Sequence, residues 1–234
     1  MGEEQLSKNI LITGCSSGLG LALTNLYLEN EFTVFGISRN NPKIENKNFY
    51  FKHFDLSKVE NIQKELTPFI DKIEEIETVY LNAGALGDIK EMANLSIDEI
   101  KDVLDVNVFA NKELLDILAK SKVKNIIALS SGAAVKGSKG WGAYSLSKAS
   151  LNMLINLYSN EMLNTKLLAV APGVIETPMT DIIRFEVDDK IFTSAKILKK
   201  GEIQQAHDAA SRLDEVVKRI DKFESGSFID VRKI

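Results

Sequence analysis

Short apolar, β-branched runs recur along the chain: "NILIT" (9–13), "FTVFGIS" (32–38), "FYFKHF" (49–54), "TVYLNAG" (78–84), "NIIALSS" (125–131), "KLLAVAPG" (166–173) and "SFIDV" (227–231). Between most of them lie segments with apolar residues at three- and four-residue spacing, the period of a helix with one buried face. One is 18–29, where Leu19, Leu23, Leu26 and Tyr27 share a stripe. A second is 97–120, marked by Ile100, Leu104, Val108, Leu115 and Leu118. A third is 142–163, with Leu151, Leu154, Ile155 and Tyr158. Near-continuous apolar strands alternating with amphipathic helices predict an α/β fold, a parallel sheet of seven strands covered on both faces. No linker or repeat divides the chain, so residues 1–234 are expected to form a single domain. Sheets of this kind bind ligands at the carboxyl ends of their strands, where the strand order reverses.

Composition narrows the choice only a little. Apolar residues make up 44% of the 234 and charged residues 26%, with a net charge of −4. Such a chain is an ordinary globular protein with no nucleic-acid surface. Clusters such as "KILKK" (196–200) read as a solvated face. Cys15 is the one cysteine, which rules out an internal disulfide and fits a reducing compartment. The start "MGEEQLSKN" has no apolar leader, Gly2 does not open a myristoylation signal, and no apolar run is long enough to span a bilayer. A cytoplasmic location is expected.

Strand 9–13 runs directly into Thr13-Gly14-Cys15-Ser16-Ser17-Gly18-Leu19-Gly20 and then a helix. Gly14 suits a tight turn, Gly18 lets backbone approach a pyrophosphate, and Gly20 lets helix and strand pack closely. The helix amino terminus offers free N–H groups to phosphates, and Ser16 and Ser17 add hydroxyls. The spacing is G-x-x-x-G-x-G, which differs from the common dinucleotide fingerprint. Cys15 in this turn reads as a small packing residue. The second strand ends in Ser38-Arg39 with no carboxylate nearby. A guanidinium pairs with a ribose 2′-phosphate, and a carboxylate would repel it, so NADP(H) is the expected cofactor.

Tyr144 and Lys148 stand four residues apart on a predicted helix and project from one face. A free phenol has a pKa of about 10, and an adjacent ammonium is expected to lower it. Alone, such a pair is an ordinary surface contact. Beside a bound dinucleotide it is an acid/base device.

Taken together, these marks resemble the short-chain dehydrogenase/reductase family from about Asn9 to Val231. They occur in order: TGxxxGxG at 13–20, Asp55-Leu56, "NAG" at 82–84, Asn107 in "VNV", Ser131 thirteen residues before the tyrosine, Y-x-x-x-K at 144–148, and "PGVIET" at 172–177. The resemblance implies a Rossmann-type doubly wound sheet. It also implies that Asp55 and Leu56 contact the adenine, and that Asn82, Ala83 and Gly84 line the cofactor. Pro172, Gly173, Ile175 and Thr177 would hold the nicotinamide carboxamide. Hydride would pass from the nicotinamide to a carbonyl carbon while Tyr144 protonates the oxygen, Ser131 binds that oxygen, and Lys148 holds the ribose. Asn107 would hold a water leading from Lys148 to solvent. Ser130 is the competing serine, which the thirteen-residue interval disfavours. Leu81, where many members have asparagine, and a missing "DGG" near the end depart from the pattern.

Within the family the chain looks most like sepiapterin reductases and benzil reductase-like members, on "NAGALGDIKEM" (82–92), "KGWGAYSLSKAS" (139–150) and "DKFESGSFIDV" (221–231). That likeness puts Asp230 where an aspartate anchors a pterin, although an ordinary strand-end role explains it as well. Trp141 is a candidate for the substrate pocket. Residues 178–200, of mixed polarity, are expected to form a mobile lid over a small carbonyl substrate: an aromatic ketone, an α-diketone or a pterin side-chain carbonyl. His53 and His207 have no spaced partners, so no metal site is expected. The alternatives are a 3-oxoacyl-carrier-protein reductase and a regulatory protein that senses NADP(H) without turnover. The family likeness further implies a homodimer or homotetramer through helices 97–120 and 142–163, with the final "VRKI" at a second interface.

Overall fold

The computed structural model describes residues 8–234, so the readings made on the amino-terminal leader and Gly2 lie outside the described residues. Strand β1 (Asn9–Thr13) leads into helix α1 (Gly18–Glu29), then β2 (Thr33–Ser38) and β3 (Phe49–His53). Next come α2 (Ile62–Ile70), β4 (Ile76–Leu81) and α3 (Ile97–Leu104). A π turn at Asp105–Phe109 joins α3 to α4 (Ala110–Leu118). The chain continues through β5 (Val123–Leu129), α5 (Gly142–Ser159), β6 (Lys166–Ala171), α6 (Pro178–Phe185), α7 (Thr193–Lys200), α8 (Ala206–Lys218) and β7 (Phe228–Asp230).

All seven strands lie in one parallel sheet of order β3-β2-β1-β4-β5-β6-β7. The chain builds outward from β1 to β3, then returns to place β4 on the other side of β1. The gap between the carboxyl ends of β1 and β4 is therefore the switch point.

Alternation along each strand feeds two cores. Ile10, Ile12, Ile127, Leu129, Leu168 and Val170 face α1 and α8, meeting Leu23 and Leu213. Leu11, Val79, Ile126, Ala128 and Leu167 face the other way, onto Leu66 of α2, Leu114 and Leu115 of α4, and Leu151 and Ile155 of α5. A fully buried leucine or isoleucine contributes about 1.5–3 kcal/mol, so both faces hold the strand ends rigidly.

Three expectations change. The predicted helix over 97–120 is broken at Asp105–Phe109, because Asn107 turns its side chain out of the helix to bond another loop. Helices α2 and α8 are additions to the three helices the pattern predicts. The apolar stripe of α2 is short and carries Pro68 in its last turn, and part of the buried face of α8 is alanine (Ala209, Ala210). The segment 178–200, expected to be a mobile lid, folds as α6 and α7. These pack Ile183 and Ala195 against Leu86 and Trp141.

Candidate active site

The turn after β1 is held by its own backbone. Gly14 has φ +70° and donates its N–H to the Ile37 carbonyl at 2.7 Å. A methyl group on Gly20 would stand 2.1 Å from the Gly14 oxygen, so only glycine lets α1 begin here. Thr13 Oγ1 accepts from the backbone N–H groups of Asn82 (3.0 Å) and Ala83 (3.1 Å). Asn82 Nδ2 donates back to the Thr13 and Gly14 carbonyls, at 3.0 and 3.3 Å. These bonds lock the ends of β1 and β4 together across the switch point.

Ser17 is the N-cap of α1, yet its hydroxyl makes no capping bond, and the first turn of α1 has no acidic residue. Free N–H groups, a free hydroxyl and the positive end of the helix dipole fit an anionic phosphate. Cys15 is buried, 3.6 Å from the Ser38 hydroxyl, and burial raises its thiol pKa. It is a packing residue.

Around this turn lies a cleft of about 540 Å³ lined by Gly14, Ser16, Ser17, Gly18, Leu19, Ser38, Arg39, Leu56, Asn82, Ala83, Gly84, Ser131, Trp141, Tyr144, Lys148, Pro172, Gly173, Ile175 and Thr177. Nearly every residue expected in the site is thus brought to one place. Ser38 donates to the Asn40 carbonyl at 2.6 Å, fixing the loop that carries the exposed Arg39. Asp55 stands just outside the lining. Burial raises its pKa, but hydrogen bonds from Ser57 and the positive charge of Arg39 outweigh that and hold the carboxyl below its usual range. Thr177 caps α6, accepting from the Thr180 N–H at 3.3 Å, and its methyl group closes against Gly18.

Ser131, Tyr144 and Lys148 meet at the inner end of the cleft. Ser131 accepts from the Ala133 N–H at 3.1 Å, which leaves its own hydroxyl proton available on the side of the Tyr144 phenol. Ser130 instead donates to Asn152 at 2.5 Å, so the two serines have separate duties. Lys148 Nζ lies 5.6 Å from the Tyr144 ring centroid and donates to the Leu129 carbonyl at 2.7 Å.

The expected lowering of the phenol pKa does not occur in this arrangement. Burial pushes the Tyr144 phenol up, and the Ser131 hydroxyl only partly opposes it, so the phenol holds its proton at neutral pH. Lys148 is itself 4% exposed, and burial brings its pKa down to about 8.

Asn107 is fully buried, and its amide is committed to protein partners. Its Oδ1 accepts from the Ala85 N–H at 2.7 Å, and its Nδ2 donates to the Ala85 carbonyl and to Ser147 Oγ, both at 2.8 Å. With both amide protons and a carbonyl lone pair in use, the side chain ties the loop after β4 to α5. Ser147 in turn donates to the Tyr144 carbonyl at 2.8 Å. This chain runs from the loop after β4, through the π turn, to the catalytic helix.

Trp141 stacks edge-on against Tyr144 with ring centroids 6.1 Å apart, and its indole N–H donates to Ser194 of α7. Asp230 does not offer a free carboxylate. Arg232 takes both oxygens, with Nε 2.8 Å from Oδ1 and Nη2 2.6 Å from Oδ2, while the Arg232 N–H bonds Oδ1 at 3.1 Å. Sequence reasoning did not single out Ser147, Asn152 or Arg232. Serines and asparagines inside helices and a penultimate-turn arginine carry no spacing signal.

The sequence matches the family model for "short chain dehydrogenase" over residues 8–187. An uncharacterised oxidoreductase of Schizosaccharomyces pombe is 35% identical over 192 residues, covering 77% of this chain and 76% of that protein. A benzil reductase ((S)-benzoin forming) of Bacillus cereus is 32% identical over 195 residues, covering 75% of this chain and 78% of the relative. A short-chain dehydrogenase/reductase structure from Saccharomyces cerevisiae superposes with a TM-score of 0.80 at 22% identity, covering 95% of each chain. The order of the strands, the glycine turn, the shared cleft and these relatives lead to one conclusion: the chain belongs to the short-chain dehydrogenase/reductase family of oxidoreductases.

Proposed function

We propose that this protein is an NADP(H)-dependent carbonyl reductase acting on a small aromatic ketone or α-diketone. The observation that carries the reading is the convergence of Ser131, the half-buried Tyr144 and the buried Lys148 at the inner end of one cleft, with Lys148 Nζ 5.6 Å from the Tyr144 ring centroid. A phenol can give its proton to the oxygen as negative charge develops there, and the neighbouring Lys148 ammonium favours that loss. Ser131 and Tyr144 provide two donors that converge on one carbonyl oxygen and stabilise its growing negative charge. When bound, the nicotinamide cofactor supplies the hydride. The glycine turn and the amino end of α1 receive its pyrophosphate. Arg39 receives the 2′-phosphate, Asp55 and Leu56 the adenine, and Pro172–Thr177 the carboxamide side. Lys148 orients the ribose and returns a proton toward Tyr144. Asn107 and Ser147 hold the catalytic helix in place.

The α-diketone preference rests on the benzil reductase named above, joined to an apolar pocket wall formed by Leu86, Trp141, Met179 and Ile183. A pterin held by Asp230 is disfavoured by the Arg232 pairing. Exposed Phe109, Leu146, Met153 and Leu157 lie on or beside α4 and α5 and support a homodimer or homotetramer built on those helices.

The test is NADPH oxidation with benzil, diacetyl and sepiapterin, repeated with NADH. Reduction of a diketone, with the NADPH-to-NADH ratio of kcat/KM falling tenfold or more in Arg39→Ala, is the expected result. Tight NADPH binding with no carbonyl reduced would favour the sensor alternative instead.

A further inference from the structure

The last strand, β7, ends beside the loops that follow β5 and β6, and the residues just after it occupy the space between those loops. The Arg232 side chain lies against Gly132 on one side and Gly173 on the other. A methyl group on Gly132 would be 3.5 Å from Nη2, and one on Gly173 would be 3.5 Å from Cδ. Gly132 directly follows Ser131, and Gly173 lines the cleft, so Arg232 stands at its rim, just outside the lining residues.

Asp230, whose side chain is 7% exposed, grips the guanidinium in a two-pronged pair, while the Arg232 side chain is 53% exposed. A guanidinium has five N–H groups. Two are spent on Asp230, leaving three with no protein acceptor assigned among the described residues. The pairing fixes the plane of the fork and cuts the ordering cost of binding an anion, and an arginine fork matches a carboxylate well.

The phosphate-binding groups lie elsewhere in the sheet. Arg39 and the glycine turn lie at the ends of β2 and β1, and β1, β4, β5 and β6 stand between β2 and β7 in the sheet.

We propose that Arg232, aimed by Asp230 beside Ser131, is an anion subsite of the substrate pocket, and that the favoured carbonyl substrates are keto acids. The inference rests on the carbonyl reductase reading. In this arrangement the carbonyl oxygen meets Ser131 and Tyr144 while the substrate carboxylate pairs with the outward N–H groups of Arg232.

The experiment compares phenylglyoxylate and levulinate with their methyl esters. In the wild type at least one acid is expected to exceed its ester in kcat/KM. Arg232→Ala lowers that acid-to-ester ratio tenfold or more, and Arg232→Lys restores part of it through charge without the fork. An unchanged ratio in Arg232→Ala, or no acid preference in the wild type, overturns the proposal. If the alanine variant does not fold, the lysine variant decides by the same ratio.

Trp141, the single tryptophan, provides a readout that does not need turnover. With the oxidised cofactor present, phenylglyoxylate is expected to quench its fluorescence in the wild type, with affinity at least tenfold weaker in the Arg232 variants. Acid binding of this kind without any turnover would sink the reductase reading and leave the subsite standing. Ester reduction without acid preference would do the reverse.

Discussion

Two regions of the molecule bury tyrosine hydroxyls, and their neighbours give them opposite uses. On the α1/α8 face, Tyr80 is fully buried and its hydroxyl pairs with Tyr27 at 2.6 Å, while Tyr27 donates to Asp214 at 3.0 Å. Burial raises both phenols first. Tyr27 is raised further by Tyr80 and by the Asp214 carboxylate, so both stay protonated across the accessible pH range. At the carboxyl ends of the strands, Tyr144 is half-buried, and its companions are a serine hydroxyl and an ammonium. A carboxylate beside a phenol opposes proton loss, and an ammonium favours it. Burial makes each phenol hold its proton. The sign of the neighbouring charge decides whether that proton can ever leave.

The comparison breaks most sharply at Tyr144. Tyr144→Phe removes the proton donor while keeping the ring against Trp141. Turnover is expected to fall by about 10²–10⁴-fold, with a melting temperature close to the wild type. Steady-state rates set beside a thermal melt check both parts. Loss of fold in place of loss of rate would make Tyr144 a core residue like Tyr80.

Lys148 sharpens the comparison through pH. Its folded-state pKa of about 8 lies below the ordinary value of 10.5. Below about pH 8 the buried ammonium therefore costs its full share of stability, and that cost is relieved as pH rises toward the unfolded value. The shift corresponds to about 3 kcal/mol. Relative to Lys148→Met, the wild type is expected to gain stability between about pH 8 and 10. Denaturant melts across that range would reveal it, and a gap constant with pH would mean the ammonium is solvated.

The smallest effect belongs to the other tyrosines. Tyr27→Phe deletes two hydrogen bonds but keeps the ring packing, at a cost of about 1–3 kcal/mol because Tyr80 loses its partner. Carbonyl reduction by the variant is expected to match the wild type when both are fully folded. An activity loss would show that the α1/α8 face communicates with the cleft.

Much of this was legible in the sequence because parallel sheets write themselves plainly. Apolar residues dominate the inner strands, and the glycine turn stands directly after the first. Tyr144 and Lys148 gained meaning from their company, the glycine turn and Ser131 thirteen residues before the tyrosine. The π turn left no such trace, since "DVNVF" satisfies the helical period and only the bond from Asn107 to Ala85 pulls it open. The helices within 178–200 were hidden for a related reason. Their charges face solvent, and the few apolar residues that seat them, Ile183 and Ala195, have partners in distant segments. Arg232 was invisible as a site residue because its significance comes from two glycines far away in the chain.

The bonds joining Thr13 to Asn82 span 69 residues. As the chain leaves the ribosome, the glycine-rich turn emerges early and can bond β2, yet its ties to Asn82 and Ala83 form only when β4 has been made and has slotted in beside β1. A nascent chain stopped after β3 therefore has the phosphate-binding sequence without a finished cradle. Acquisition of nucleotide affinity becomes a timestamp for β4 docking, the event that commits the two halves of the sheet to each other.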